Sequence, residues 1–145
     1  MSVKQTFTIG AFAIIVDSEN RILLCLRNDY DLWNLPGGGV DDGEAPWECV
    51  IREVKEETGL NIVVEKLIGI YSKPEHNDLV FSYKCKIVSG DIQINEEAKE
   101  IKYFHINEIP QNTIQKQIER IKDYLANNDT VVMTKQEDDS ILLII

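Results

Sequence analysis

Apolar positions in this chain fall in short runs separated by polar turns, and twice the spacing changes to a helical period. Residues 6–16 form an apolar run of strand character, and residues 21–27, reading RILLCLR, form a second. Asp17, Ser18, Glu19 and Asn20 between them are turn-forming types, which predicts a hairpin. Residues 28–31 are polar and predict a loop. Residues 33–35 predict a short strand that delivers the chain into Pro36 and three glycines. A helix is expected to start at Ala45 or Pro46, since proline is tolerated in a first turn. Trp47, Val50, Ile51 and Val54 then stand at i, i+3, i+4 and i+7, the stripe of a helix with one buried face. Gly59 suits the left-handed residue that ends such a helix. Residues 62–71, 79–88 and 101–105 read as strands again, and Ile114, Ile118, Ile121 and Leu125 mark a second amphipathic helix over residues 112–125. Residues 130–135 and 140–145 predict a final hairpin. Together these elements predict an α/β fold, an α/β/α sandwich around a mixed β-sheet.

Composition narrows the class. The 145 residues are 43% hydrophobic and 28% charged, ordinary values for one globular domain spanning residues 1–145 with a sizeable core. No apolar run approaches the roughly 20 residues that cross a bilayer, so no membrane role is expected. The N-terminus lacks the apolar stretch of a signal peptide. Cys25, Cys49 and Cys85 are odd in number, widely spaced and without a CxxC pair. They read as reduced thiols of a cytoplasmic protein rather than a disulfide or zinc framework. The formal net charge of −10 opposes binding to a nucleic-acid polymer, which depends on cations neutralising phosphates. It does not oppose a small phosphorylated substrate, because bound metal ions invert the local charge. The apolar residues 141–145 are read as a core strand or as the contact of a homodimer.

The chemistry concentrates in residues 38–60, GGVDDGEAPWECVIREVKEETGL. Glu53, Glu56 and Glu57 stand at i, i+3 and i+4, so a helix carries all three carboxylates on one side. That side is expected to differ from the apolar stripe and to reach solvent or a cleft. Like charges this close raise one another's pKa or recruit a cation. A hard divalent ion such as Mg²⁺, with Mn²⁺ as an alternative, suits oxygen ligands. The glycines ahead of the helix allow close approach of backbone to ligand and leave amides free for phosphate oxygens.

The spacing from Gly38 through Glu44, Arg52-Glu53, Val54, Glu56-Glu57 and Gly59-Leu60 reproduces G-x5-E-x7-R-E-U-x-E-E-x-G-U at all nine specified positions, U being a bulky aliphatic residue. This is the Nudix box, and the chain resembles a Nudix (MutT-like) hydrolase, with a looser likeness over residues 6–110. The resemblance implies the same sandwich fold, a loop and helix that hold metal ions and a diphosphate, and hydrolysis of a nucleoside diphosphate linked to another moiety.

By position, Glu53, Glu56 and Glu57 match the family's metal-ligand glutamates. The carbonyl of Gly37 or Gly38 is a further oxygen, and Gly38 and Gly39 belong to the substrate loop. Glu44 and Arg52 match positions that mainly hold loop and helix together, with Arg52 also a candidate for the substrate. Glu53 is the first choice for the general base. The family often places another metal-binding or catalytic glutamate in a region corresponding to residues 95–100, where Glu97 is the first candidate and Glu100 the second. Arg27 sits where relatives bring a basic residue to the substrate, and arginine suits bidentate phosphate contacts. Tyr30, Trp33, Tyr71, Phe81 and Tyr83 are candidates to stack on a nucleobase. His76 is a weaker substrate contact, and His105 is read as structural. Pro74, about 14 residues after the box, resembles a loose marker of members cleaving ADP-ribose and other nucleoside diphosphate sugars. The alternatives are a MutT-like nucleoside triphosphate pyrophosphohydrolase and a non-catalytic nucleotide-sensing module.

Overall fold

A computed structural model describes residues 5–126 and 129–137. Its elements are β1 (Thr8–Ile15), β2 (Ile22–Arg27), β3 (Trp33–Asn34), β4 (Gly37–Gly39), α1 (Pro46–Thr58), β5 (Asn61–Lys73), β6 (Asp78–Ser89), β7 (Ala98–Phe104), α2 (Gln115–Ala126) and β8 (Val132–Lys135). They build a five-stranded mixed sheet in the order β4-β1-β6-β5-β8 and a three-stranded antiparallel sheet in the order β3-β2-β7.

Alternation along β1 explains the layers, because successive side chains of a strand point to opposite faces. Ala11, Ala13 and Ile15 pack with Cys49, Val50 and Val54 of α1, while Ile14 packs with Ile121 of α2. The helices therefore cover opposite faces of the larger sheet, which gives the expected α/β/α sandwich.

Two local expectations are corrected, and a third falls partly outside the described residues. The runs 6–16 and 21–27 do not form one hairpin ladder. β1 and β2 belong to different sheets, and between the two runs the described ladder pairing is a single bridge of Val16 with Ile22. The turn at Asn20, with φ of 61°, takes the chain from the larger sheet to the smaller. In α1 the stripe is shifted: Cys49, Val50, Val54, Glu57 and Thr58 are buried, whereas Trp47 is 57% exposed and Ile51 is exposed too. Trp47 lies in the first turn of the helix. Finally, β8 pairs in parallel with β5, and the other half of the expected C-terminal hairpin lies outside the described residues.

The stretch that matters for function is the passage from β3 to β4, where the chain leaves the smaller sheet for the larger. Pro36 O accepts from Ala13 N–H at 2.8 Å, and Leu35 N–H donates to Gln117 Oε1 of α2 at 2.6 Å. The glycines that follow are thereby held over the C-terminal half of α1.

Candidate active site

The box helix is set at both ends by local chemistry. Pro46 begins it, and Glu48 Oε1 reaches back to Ala45 N–H at 2.9 Å. Gly59 ends it with φ of 82°, a left-handed backbone that a Cβ disfavours. Between these ends Arg52 gathers the charges. It holds Glu44 with two parallel bonds, at 2.7 and 2.9 Å, and donates to Glu53 Oε1 at 3.0 Å and Glu56 Oε2 at 3.2 Å. It also reaches Gly39 O at 3.3 Å and Asp41 at 3.3 Å. The paired guanidinium holds the Glu44 carboxyl down at about 2. This network ties the loop to the helix.

Above α1 the glycines admit the carboxylates. A Cβ on Gly38 would lie 2.7 Å from Glu53 Cδ, so only glycine leaves room for that carboxylate. Gly37 N–H donates to Glu57 Oε1 at 3.2 Å. Glu57 is 8% exposed. Burial pushes its carboxyl up to about 9 against the lowering hydrogen bond from Gly37, and the Glu53 and Glu97 carboxylates add to the rise. Burial also raises Glu53, with Arg52 opposing.

Glu97 arrives from the loop before β7. One carboxylate oxygen from each of Glu53, Glu57 and Glu97 lies within 4.8 Å of the others. Three acidic oxygen donors converging so closely fit a hard divalent cation. Glu56 is outside this set, half-exposed beside Arg52. Glu100 lies on β7, paired with Lys102 at 3.0 Å.

The cluster borders a cleft of about 440 Å³ lined by Arg27, Asn34, Gly37, Gly38, Glu57 and Glu97 among others. Arg27, Asn34, Gly37 and Gly38 also line a second groove of about 360 Å³, with Phe12, Lys73, Asp78, Val80, Lys116, Gln117 and Arg120 further along. The glycine strand thus runs between two compartments. Arg27 borders both, gripping Asp29 at 2.8 Å with its guanidinium over the Tyr30 ring. Buried Asn34 Oδ1 has no hydrogen-bond partner among the described residues.

Most of the aromatic candidates are structural. Tyr71 is fully buried with its hydroxyl donating to Asp123 at 2.8 Å, Trp33 packs edge-on against Phe104, and Phe81 stacks with buried Tyr83. His76 sits in an exposed turn and lines neither compartment. Asn34, Phe12, Gln117 and Arg120 were not singled out by the sequence. A signal existed for two of them: Phe12 alternates with Ala11 and Ala13, and Asn34 is the one polar residue in an apolar run before the glycines.

This fold and carboxylate site define a class. The NUDIX domain model matches residues 6–125, and the chain belongs to the Nudix family as one of its pyrophosphohydrolases. It is 34% identical over 118 residues to an ADP-ribose pyrophosphatase of Methanocaldococcus jannaschii, covering 77% of this chain and 69% of that protein. A Bacillus subtilis protein provisionally named 8-oxo-dGTP diphosphatase is 32% identical over 132 residues, covering 90% and 89%. A solved UDP-X diphosphatase superposes with a TM-score of 0.76 at 28% identity, covering 90% of this chain and 69% of that one. The family generally uses divalent metals on small nucleotide substrates. Among the described residues no helix is long and apolar enough to cross a membrane.

Proposed function

We propose that this protein hydrolyses the diphosphate linkage of a nucleoside diphosphate derivative, of the ADP-ribose or nucleoside diphosphate sugar type, to a nucleoside monophosphate and a phosphorylated moiety. One observation carries the reading. The carboxylate cluster lies beside a glycine strand with a compartment on each side. Two compartments suit a substrate with a bulky group at each end of its diphosphate. The names of the Methanocaldococcus jannaschii relative and the solved UDP-X diphosphatase point the same way.

Glu53, Glu57 and Glu97 would hold Mg²⁺, or Mn²⁺ in its place, with Glu56 and the Gly38 carbonyl at its edge. When bound, the cation supplies charge that offsets the phosphate oxygens and makes a nearby water more acidic. The protein's own part is to place and to move a proton. Glu53 is assigned as acceptor of the water's proton, because burial raises its carboxyl while Arg52 fixes one of its oxygens at 3.0 Å. Arg27 meets the diphosphate between the compartments, and Gly38 and Gly39 let it lie against the backbone. Arg52 is so fully engaged with Glu44, Glu53 and Glu56 that its part is to hold this frame.

A second reading, cleavage of nucleoside triphosphates, is favoured by the name of the Bacillus subtilis relative. A panel of nucleoside diphosphate sugars, dinucleoside polyphosphates and nucleoside triphosphates with Mg²⁺ or Mn²⁺ in ¹⁸O-water separates the two. Mass spectrometry should find a nucleoside monophosphate and a phosphorylated partner from the diphosphate sugars. Turnover of triphosphates alone, with release of pyrophosphate, would favour the second reading, and binding without turnover a sensing module.

A further inference from the structure

The last four carbonyls of an α-helix have no partner within it. In α1 these belong to residues 55–58, and every one is met from the segment that follows. Gly59 N–H donates to Lys55 O at 3.0 Å, and Gln93 N–H to Thr58 O at 2.8 Å. The two between them share one side chain: Asn95 Nδ2 donates to Glu56 O at 2.9 Å and to Glu57 O at 3.0 Å. The same amide's Oδ1 accepts from Glu97 N–H at 2.7 Å, closing an Asx turn. From the other side Asn28 Nδ2 donates to Asn95 O at 3.2 Å and to Glu96 O.

One amide therefore joins the helix end that carries Glu57 to the backbone of Glu97. The joint has a force to resist. Glu97 is exposed on its loop, and its carboxylate faces those of Glu53 and Glu57 within 4.8 Å. Once ionised, as cation ligands must be, carboxylates at that distance repel, so an untethered loop would carry Glu97 outward. We propose that Asn95 is a positioning residue for the carboxylate cluster, holding Glu97 against Glu57 before a cation arrives. This rests on the reading of Glu97 as a cation ligand. Pre-organisation of this kind tightens binding, because the ordering cost is met during folding.

A plain helix cap would also be weakened by substitution, so stability alone does not decide the role. The test is the affinity of the full chain for Mn²⁺ alone, measured by electron paramagnetic resonance in the wild type, Asn95→Ala, Glu97→Gln and the double variant. Asn95→Ala should weaken Mn²⁺ binding about tenfold, the lower range for removing a group that orients a ligand. Once Glu97 is neutral, the further loss from Asn95→Ala should be no more than about twofold, since the two act through one carboxylate. Fully additive losses, or unchanged affinity in Asn95→Ala, would overturn the proposal and leave Asn95 a cap. Unchanged affinity in Glu97→Gln would instead withdraw Glu97 from the ligand set, and the role of Asn95 with it. Should Asn95→Ala lose the fold, Asn95→Ser keeps an oxygen for the Glu97 N–H, removes the amide donor to α1, and carries the same expectation.

Discussion

Arg52 and Glu44 are joined by two parallel hydrogen bonds, Nε to Oε2 at 2.7 Å and Nη2 to Oε1 at 2.9 Å. The pair pins the loop to the middle of α1 and leaves a third nitrogen of Arg52 for Glu53 and Glu56. Its influence on stability has a definite sign. The folded-state carboxyl of Glu44 is lowered to about 2 from 4.5, chiefly by the Arg52 hydrogen bonds. The stabilisation is therefore complete above pH 4.5 and is lost as pH falls towards 2. Urea midpoints measured from pH 6 to 2 should fall less steeply in Glu44→Gln than in the wild type. Parallel curves would show that the pair does not contribute.

Glu57 titrates in the opposite sense. Its folded-state carboxyl is raised to about 9, first by burial, so the folded protein holds a proton that the unfolded chain releases near 4.5. Metal-free protein should lose stability as pH rises from about 4.5 to about 9. Glu57→Gln should flatten that limb. Mg²⁺ should stabilise the wild type more at pH 8.5 than at pH 5.5, because the ion displaces the proton. Thermal scans with EDTA and with Mg²⁺ check both, and a pH-independent difference between them would contradict the account.

Glu56→Gln tests the outermost glutamate of the box. Its side chain is half-exposed beside Arg52 and outside the closest carboxylate set, yet it lies next to Glu57 and on the same turn as Glu53. Neutralising it should lower kcat by about 10² or more, the scale on which one charge-stabilising group acts, with the melting temperature little changed. Near-normal turnover would confine the ion to Glu53, Glu57 and Glu97.

How much of this was legible in the sequence depends on the range of the interaction. The sandwich, both helices and the glutamates followed from periodicity and spacing over a few turns. The burial of Glu57 was legible but misread: seven residues after Val50 make 700°, within 20° of the same direction. Glu57 thus continues the apolar stripe and meets Gly37 where that stripe passes under the glycine strand. The separation of β1 from β2 was not legible, because the turn at Asn20 fits a hairpin as well as a change of sheet. The second groove was out of reach too. Its lining comes from every strand from β1 to β6 and from α2, and only tertiary contacts such as Gln117 with Leu35 bring them together.

Gly38→Ala should separate site geometry from folding. The added Cβ would sit 2.7 Å from Glu53 Cδ, closer than any relaxed contact. What it meets is the end of a flexible side chain rather than backbone, so Glu53 can swing aside. The expected result is a folded protein whose melting temperature stays within a few degrees of the wild type, with Mn²⁺ affinity and turnover each reduced at least tenfold. Unimpaired Mn²⁺ binding would mean that Glu53 need not occupy its present position.

Asn34 presents the reverse balance of stability and function. Its Oδ1 is buried without a partner among the described residues, and an acceptor left so costs about 1–3 kcal/mol. The side chain stands where the two compartments meet, which gives that cost a purpose if a donor on the substrate satisfies it. Asn34→Leu, close in volume and without polar atoms, should then raise the stability of the free protein, by up to about 2 kcal/mol once the remaining amide is counted. The same substitution should raise KM for the preferred substrate at least tenfold, since a bound donor would face an apolar wall. The two effects together are the diagnostic result, because a substitution that merely damaged the fold would lower stability and activity alike. Denaturant unfolding of the free protein and steady-state kinetics on the best substrate measure them. Lower stability in Asn34→Leu would show that the amide is satisfied in the resting protein, and an unchanged KM would remove it from substrate recognition.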